Sequence, residues 1–240
     1  MNNKIIIYTP FNVGRFNTIL HEKEINGKHF SLTEDWIISR YNFWKDNTLR
    51  SLQNQDFSDF LLYLQCDPST RDFCNDIFND SIKKDNRINL CFPYDDDYLT
   101  EINILNNTYN KKILTRLDSD DMYSQDALRL IWECSNSGYT WMNFRYGYGR
   151  DIKQNKFYIY DAKESGPFFA WSTTKIDEID AGDHSKVCNF GPRRLPDGNF
   201  LVNITSLNTS TYYQSKYFIK EITDINEINT IKTRFGIGDL

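Results

Sequence analysis

The sequence predicts an α/β fold in which helices flank a mainly parallel sheet, followed by an aromatic, loop-rich C-terminal part. Three observations carry this. Short runs rich in apolar residues at 5–8, 60–64, 88–92 and 113–117, the first of them continuous, have the length and composition of strands in a covered sheet. Between them lie segments whose apolar residues recur at intervals of three or four, as in helices that cross over a parallel sheet. Beyond Gly138 that alternation gives way to short aromatic stretches and clusters of glycine and proline.

The first run, Ile5-Ile6-Ile7-Tyr8, closes in Thr9-Pro10-Phe11-Asn12, where the proline marks a loop. A helix is expected from about Thr33, with Ile37, Tyr41, Trp44, Thr48 and Leu52 on the face that packs on the sheet. The second strand, 60–64, is stopped by Gln65-Cys66-Asp67-Pro68, which leaves Asp67 at a strand's C-terminal end. A helix over about 71–83 turns Phe73, Ile77 and Phe78 inward and leads to the third strand at 88–92. Pro93-Tyr94 halts that strand, and Asp95-Asp96-Asp97 behind it reads as a solvated loop. A helix over about 98–107 precedes the fourth strand, and another is expected at 126–134 with Ser124 as its N-cap. Residues 139–146 and 156–160 suggest hairpins, and the tail 165–240 reads as loop-rich around Gly166-Pro167 and 191–198, with a strand at 200–205. A single domain over 1–240 accommodates all of this, with a break in character near 137.

At 40% apolar and 25% charged residues, the 240-residue chain has the makeup of a globular protein with a substantial core. Its aromatic share of 15% hints at stacking surfaces as well. A net charge of -5 without a stripe of Lys and Arg argues against a nucleic-acid partner. The run at 5–8 is too short for a secretory signal, and no transmembrane segment is expected because no apolar run reaches spanning length. Cys66, Cys74, Cys91, Cys134 and Cys188 contain no C-x-x-C pair and indicate neither a disulfide framework nor a zinc knuckle. A soluble, cytoplasmic protein is the expectation.

The fourth apolar run ends in Asp118-Ser119-Asp120-Asp121, which places three carboxylates within four residues. Carboxylates this close repel one another, and a hard divalent cation with oxygen ligands is their natural partner. Such a cation, Mn²⁺ or Mg²⁺, would bridge the phosphates of a diphosphate-bearing substrate. An EF-hand is excluded because Met122 and Tyr123 break its pattern. The competing reading is a solvated turn with helix-capping duties. Ligands of open α/β sheets bind at the carboxyl ends of the strands, and residues 9–15, Asp67, 95–97 and 118–121 all fall there. His184 is either a structural histidine or a metal or phosphate contact. Arg193-Arg194 reads equally well as a phosphate clamp or as loop charge. Asp177, Glu178, Asp180 and Asp183 lie in a segment able to supply a general base for a hydroxyl.

Several short motifs occur in a specific order. They are Tyr8-Thr9-Pro10-Phe11-Asn12-Val13, Trp36-Ile37-Ile38-Ser39-Arg40-Tyr41, Ser51-Leu52-Gln53-Asn54-Gln55 with Phe60, and Asp67-Pro68-Ser69-Thr70. Leu114-Thr115-Arg116-Leu117-Asp118-Ser119-Asp120-Asp121, Met142-Asn143-Phe144 and Gly166-Pro167-Phe168-Phe169 complete the series. Together they span about residues 5–190 and resemble the rhamnosyltransferase family of GT-A-like glycosyltransferases.

The resemblance implies a GT-A-like, Rossmann-type fold, a nucleotide-sugar donor and a D-x-D metal site for Mn²⁺ or Mg²⁺. Asp118 would contact ribose or donor sugar and Asp120 would ligate the metal, with Asp118, Asp121 and His184 as further candidate ligands. Thr9, Phe11, Asn12 and Asp67 would line the nucleotide pocket, with Arg116 and Asp118 beside the donor. Residues 1–137 become a nucleotide-sugar-binding half and 138–240 an acceptor-side half. In that second half Asp180 or Asp183 would deprotonate the attacking hydroxyl if the reaction inverts. The implied activity is metal-dependent transfer of a sugar, rhamnose by the family's name, to a saccharide or other hydroxyl acceptor. Two departures stand out: Pro10 where the family usually has arginine, and Asn203-Ile204-Thr205-Ser206 where it tends to carry a His-Gly pair. A non-catalytic sugar- or nucleotide-binding protein on the same fold is the alternative. A Mg²⁺-dependent phosphatase of haloacid-dehalogenase type fits worse, since Met122 follows Asp121 and Gly182-Asp183 lacks the later aspartate.

Overall fold

The computed structural model of the protein describes residues 2–12, 24–25, 28–93, 95–162, 168–177, 190–205 and 217–238. Strands β1 (Asn3–Pro10), β2 (Glu24–Ile25) and β3 (Lys28–His29) precede helix α1 (Glu34–Trp44), which runs through a wider π-type turn at Lys45–Leu49 into α2 (Arg50–Gln53). Then come β4 (Phe60–Gln65), α3 (Arg71–Lys84), β5 (Ile88–Cys91), α4 (Asp96–Thr108), β6 (Lys111–Arg116), β7 (Met122–Tyr123) and α5 (Ala127–Asn136). The second half contributes β8 (Trp141–Asn143), β9 (Tyr146–Asp151), β10 (Lys156–Asp161), β11 (Phe169–Thr173), β12 (Arg193–Arg194), β13 (Phe200–Ile204), β14 (Phe218–Ile222) and α6 (Ile225–Phe235).

Seven strands form the central sheet in the order β12-β8-β11-β6-β1-β4-β5. Strand β1 is parallel to both β4 and β6, β4 to β5, and β12 to β8, while β11 runs against β6 and β8. The predicted mainly parallel sheet flanked by helices is the observed fold. Its centre explains the apolar runs. Ile5, Ile6, Ile7 and Tyr8 are all fully buried because successive side chains point to opposite faces and both faces are covered. Ile5 and Ile7 join Trp44, Leu52, Phe78 and Leu128 on one face, and Ile6 and Tyr8 join Ile102 and Leu105 of α4 on the other. Burial of each such isoleucine contributes about 1.5–3 kcal/mol.

From β1 the chain steps outward through β4 to β5, then returns to the opposite side of β1 as β6. The strand order therefore reverses between β1 and β6, which opens a crevice at their carboxyl ends. A second sheet, ordered β14-β10-β9-β13-β7, packs against α6 through Met122, Phe157, Leu201, Ile222, Ile231 and Phe235. The segment after β6 passes directly into this sheet as β7, where Met122 pairs with Leu201. Residues 118–121 are thus clamped between the two sheets.

Several expectations need correction. Residues 139–146 are not one hairpin strand: β8 joins the large sheet and β9 the small one, with the chain turning at Phe144-Arg145. The tail is less loop-rich than expected, since β11, β14 and α6 lie within it. Helix α5 starts after Asp126 and not after Ser124, whose hydroxyl lies 2.8 Å from Asp126 Oδ1 and 2.7 Å from Asn199 Oδ1. The acidic run at 95–97 is no free loop, because α4 begins at Asp96 and Asp95 pairs with Arg71. Among the described residues no helix is long and apolar enough to cross a membrane.

Candidate functional site

The turn at 118–121 continues β6 at the crevice. Leu117 N–H donates to Tyr8 O at 3.1 Å, extending the β1–β6 pairing by one residue, and Asp121 N–H then closes the turn on Asp118 O at 3.0 Å. Tyr123 braces it from beneath, its hydroxyl 2.7 Å from Arg116 O and 2.9 Å from Thr115 Oγ1.

The three carboxylates point to three different partners. Asp118 is partly exposed and lies 2.7 Å from Arg116 Nε. Asp120 is 5% exposed and is gripped by Arg40 of α1, with Nη2 at 2.8 Å from Oδ1 and Nη1 at 3.1 Å from Oδ2. The same guanidinium donates Nε–H to Ser119 Oγ at 2.9 Å and lies over the Trp36 ring. Asp121 is 2% exposed and accepts the Asn203 backbone N–H at 3.2 Å, while the Asn203 side-chain amide donates to Asp120 O at 2.6 Å. Burial and the neighbouring Asp120 and Asp118 charges push the Asp121 carboxyl well above the usual carboxylate range. Asp120 is also raised by burial, with Arg40 opposing. No group of three or more histidine, cysteine or acidic side chains converges as a ready metal cage among the described residues.

The neighbouring strand ends form the other wall. Asn12 links them: its Oδ1 accepts Asp67 N–H at 2.9 Å and its Nδ2 donates to Thr70 Oγ1 at 3.0 Å. Asp67 caps the short turn Pro68–Thr70 by accepting from Ser69 N at 3.0 Å. Thr9 is fully buried, and Phe11 packs edge-on against Trp36 and Phe78 with 4% exposure. Phe11 therefore anchors the loop in the core and does not present its ring to an open pocket.

The structure brings Thr9, Phe11, Asn12, Asp67, Arg116, Asp118, Asp120 and Asp121 to adjacent strand ends. Asp180, Asp183 and His184 lie outside the described residues. Arg193 and Arg194 sit three strands away from β6, beside a cavity of about 570 Å³ that Tyr139 and Cys134 also line. There Arg194 pairs with Asp197 at 3.0 Å and Arg193 lies over Tyr139. Sequence reasoning missed Arg40 and Asn203 as builders of the turn. For Arg40 a signal existed, an arginine one turn after Trp36 and Ile37 on an otherwise apolar helix face.

No protein-family model matches the chain, and no curated protein matches it. Among solved structures, TarS 1-349 of S. aureus aligns with a TM-score of 0.45 at 10% identity, covering 85% of this chain and 60% of that one. The same protein in complex with UDP-GlcNAc gives 0.43 at 10% identity, covering 99% and 66%. The mannosyltransferase PcManGT from Pyrobaculum calidifontis, in complex with GDP-Man and Mn²⁺, gives 0.43 at 11% identity, covering 87% and 58%. The chain thus spans about three-fifths of the length of TarS 1-349 and of PcManGT.

Proposed function

We propose that the chain is a glycosyltransferase using a nucleotide-diphosphate sugar, whose diphosphate end meets the turn at 118–121. The observation that supports this reading most is the position of that turn. Three carboxylates stand at the reversal point of the strand order, beside the loops that follow β1 and β4, where open α/β sheets bind nucleotides.

The donor set fits a hard divalent cation. Asp118 offers a partly exposed carboxylate, and Arg40 takes one lone pair from each Asp120 oxygen, leaving acceptor capacity on both. Mn²⁺ or Mg²⁺ held there would supply Lewis-acid stabilisation of a departing nucleoside diphosphate. The chain's own residues do the positioning. Arg40 locks Ser119 and Asp120, Asn203 ties Asp120 and Asp121 to the second sheet, and Asn12 fastens the loop after β1 to the one after β4. Such rigidity favours charge stabilisation because the dipoles need no reorganisation as the bond breaks. Rhamnose as the sugar, a hydroxyl acceptor, Asp180 or Asp183 as general base and His184 as a further ligand belong to the same proposal.

The test is hydrolysis of UDP-, GDP- and dTDP-sugars without acceptor. Metal-dependent release of the nucleoside diphosphate is expected, falling by about a hundredfold or more in Asp118→Asn if that carboxylate acts in the transition state. Failure of every donor to be bound or hydrolysed, with either metal, would overturn the reading.

A further inference from the structure

Arg150 on β9 is 3% exposed, yet no carboxylate stands against it among the described residues, and its Nε has no hydrogen-bond partner. Its guanidinium carbon lies 5.6 Å from the centre of the Phe157 ring. Arg40, Arg116, Arg129 and Arg234, by contrast, each hold an aspartate. Arginine keeps its proton in proteins, so it cannot escape burial by neutralising itself. Burial pulls the Arg150 pKa down. A buried, uncompensated cation is strongly unfavourable, and groups held so are characteristic of sites whose counter-charge arrives with a ligand.

Strand register relates Arg150 to the carboxylate turn. The parallel pairing of β13 with β9 sets Asn203 directly opposite Arg150. Asn203 donates its side-chain amide to Asp120 O and its backbone N–H to the Asp121 carboxylate. Arg150 is therefore one strand away from the support of the carboxylate turn, on the side provided by the second sheet.

We propose that Arg150 is a phosphate-binding residue, its guanidinium fork receiving an oxyanion of the nucleotide-diphosphate donor. The inference rests on the nucleotide-sugar reading and adds to it a fixed cation independent of any metal. A planar fork suits phosphate because two parallel N–H bonds can form at once.

The test measures binding of inorganic pyrophosphate, orthophosphate and nucleoside diphosphates by calorimetry, with and without Mn²⁺, to the wild type, Arg150→Lys and Arg150→Met. Thermal unfolding of each without ligand accompanies it. Loss of a charge-assisted fork corresponds to about a 10- to 100-fold weakening for pyrophosphate and nucleoside diphosphates in Arg150→Met. Arg150→Lys, which keeps the charge without the fork, should fall between. The unliganded methionine variant should melt no lower than the wild type, because an unpaired buried charge has been removed. Diphosphate affinities unchanged in Arg150→Met, with a lowered melting point, would make Arg150 a structural partner of Phe157 and overturn the inference alone. Orthophosphate affinity that depends on Arg150 while nucleoside diphosphate affinity does not would assign the oxyanion to another source, and overturn it too. A wild type that binds no diphosphate under any condition would overturn both this and the nucleotide-sugar reading.

Discussion

Replacing Arg40 with methionine should destabilise the fold far more than removal of a surface charge, because the Arg40–Asp120 pair is buried on both sides, at 8% and 6% side-chain exposure. The guanidinium makes two bonds to the carboxylate and one to Ser119. Breaking such a pair leaves a buried carboxylate uncompensated, which costs about 3–5 kcal/mol. Asp120 can limit that cost by taking up a proton, since burial already raises its pKa and Arg40 is what opposes the rise. For a chain of this length each kcal/mol lowers the melting temperature by about 2–4 °C, so Arg40→Met should melt about 6–20 °C below the wild type. Asp120→Asn strands the guanidinium instead and should cost a similar amount. In Arg40→Met/Asp120→Asn neither charge remains, so the double variant should cost no more than either single one. Urea denaturation of all four proteins at pH 7 measures the coupling. Single costs that add to within about 0.5 kcal/mol would refute the buried-pair account.

Two other predictions follow from local geometry. A Cβ on Gly147 would lie 2.5 Å from the Phe200 carbonyl oxygen and 2.8 Å from its ring, and backbone cannot swing aside, so Gly147→Ala should cost about 1–3 kcal/mol by prising β9 from β13. Because β13 carries Asn203, the same variant should also bind nucleotide more weakly; unchanged unfolding in urea would contradict the packing. Asp85 accepts from the Arg87 side chain at 2.8 and 2.7 Å and from its backbone N–H at 3.1 Å, and the Arg87 side-chain bonds are the main reason its pKa falls below the usual value. A folded pKa below the unfolded one stabilises the protein above about pH 4 and loses that contribution as the pH falls further. Melting curves from pH 6 to 3 should therefore show a shallower acid decline in Asp85→Asn, and an identical slope would count against the pair.

The sheet was legible because its central strands are buried on both faces, so Ile5-Ile6-Ile7-Tyr8 and Ile113-Leu114 stand out without any partner being known. The end of β4 was legible through Pro68 and that of β6 through the aspartates, whereas β1 runs on through Thr9 and Pro10, which pair with Leu64 and Gln65 where a loop was expected. Helix α6 was not recognised, although Asp224 caps it through Asn226 N–H and Gly236, at φ 70°, ends it in the left-handed conformation. Its apolar stripe is thin, with only Ile231 and Phe235 buried. The partners of the carboxylate turn were hidden for a different reason. Arg40 and Asn203 lie 80 and 83 positions from Asp120, and which side chains meet across such distances is set by helix packing and strand register, not by local pattern.

The central claim is that the turn at 118–121 receives the diphosphate of a nucleotide. Calorimetric titration of UDP, GDP and dTDP into the wild type and Asp118→Asn, each with Mn²⁺ and with EDTA, tests it most directly. Asp118 is the carboxylate least involved in the core, so the variant should keep the wild-type melting temperature. The account predicts that at least one nucleoside diphosphate binds the wild type in the presence of Mn²⁺ and that Asp118→Asn or EDTA weakens it at least tenfold. Binding of equal strength in all of these conditions, or no binding by the wild type, would contradict it.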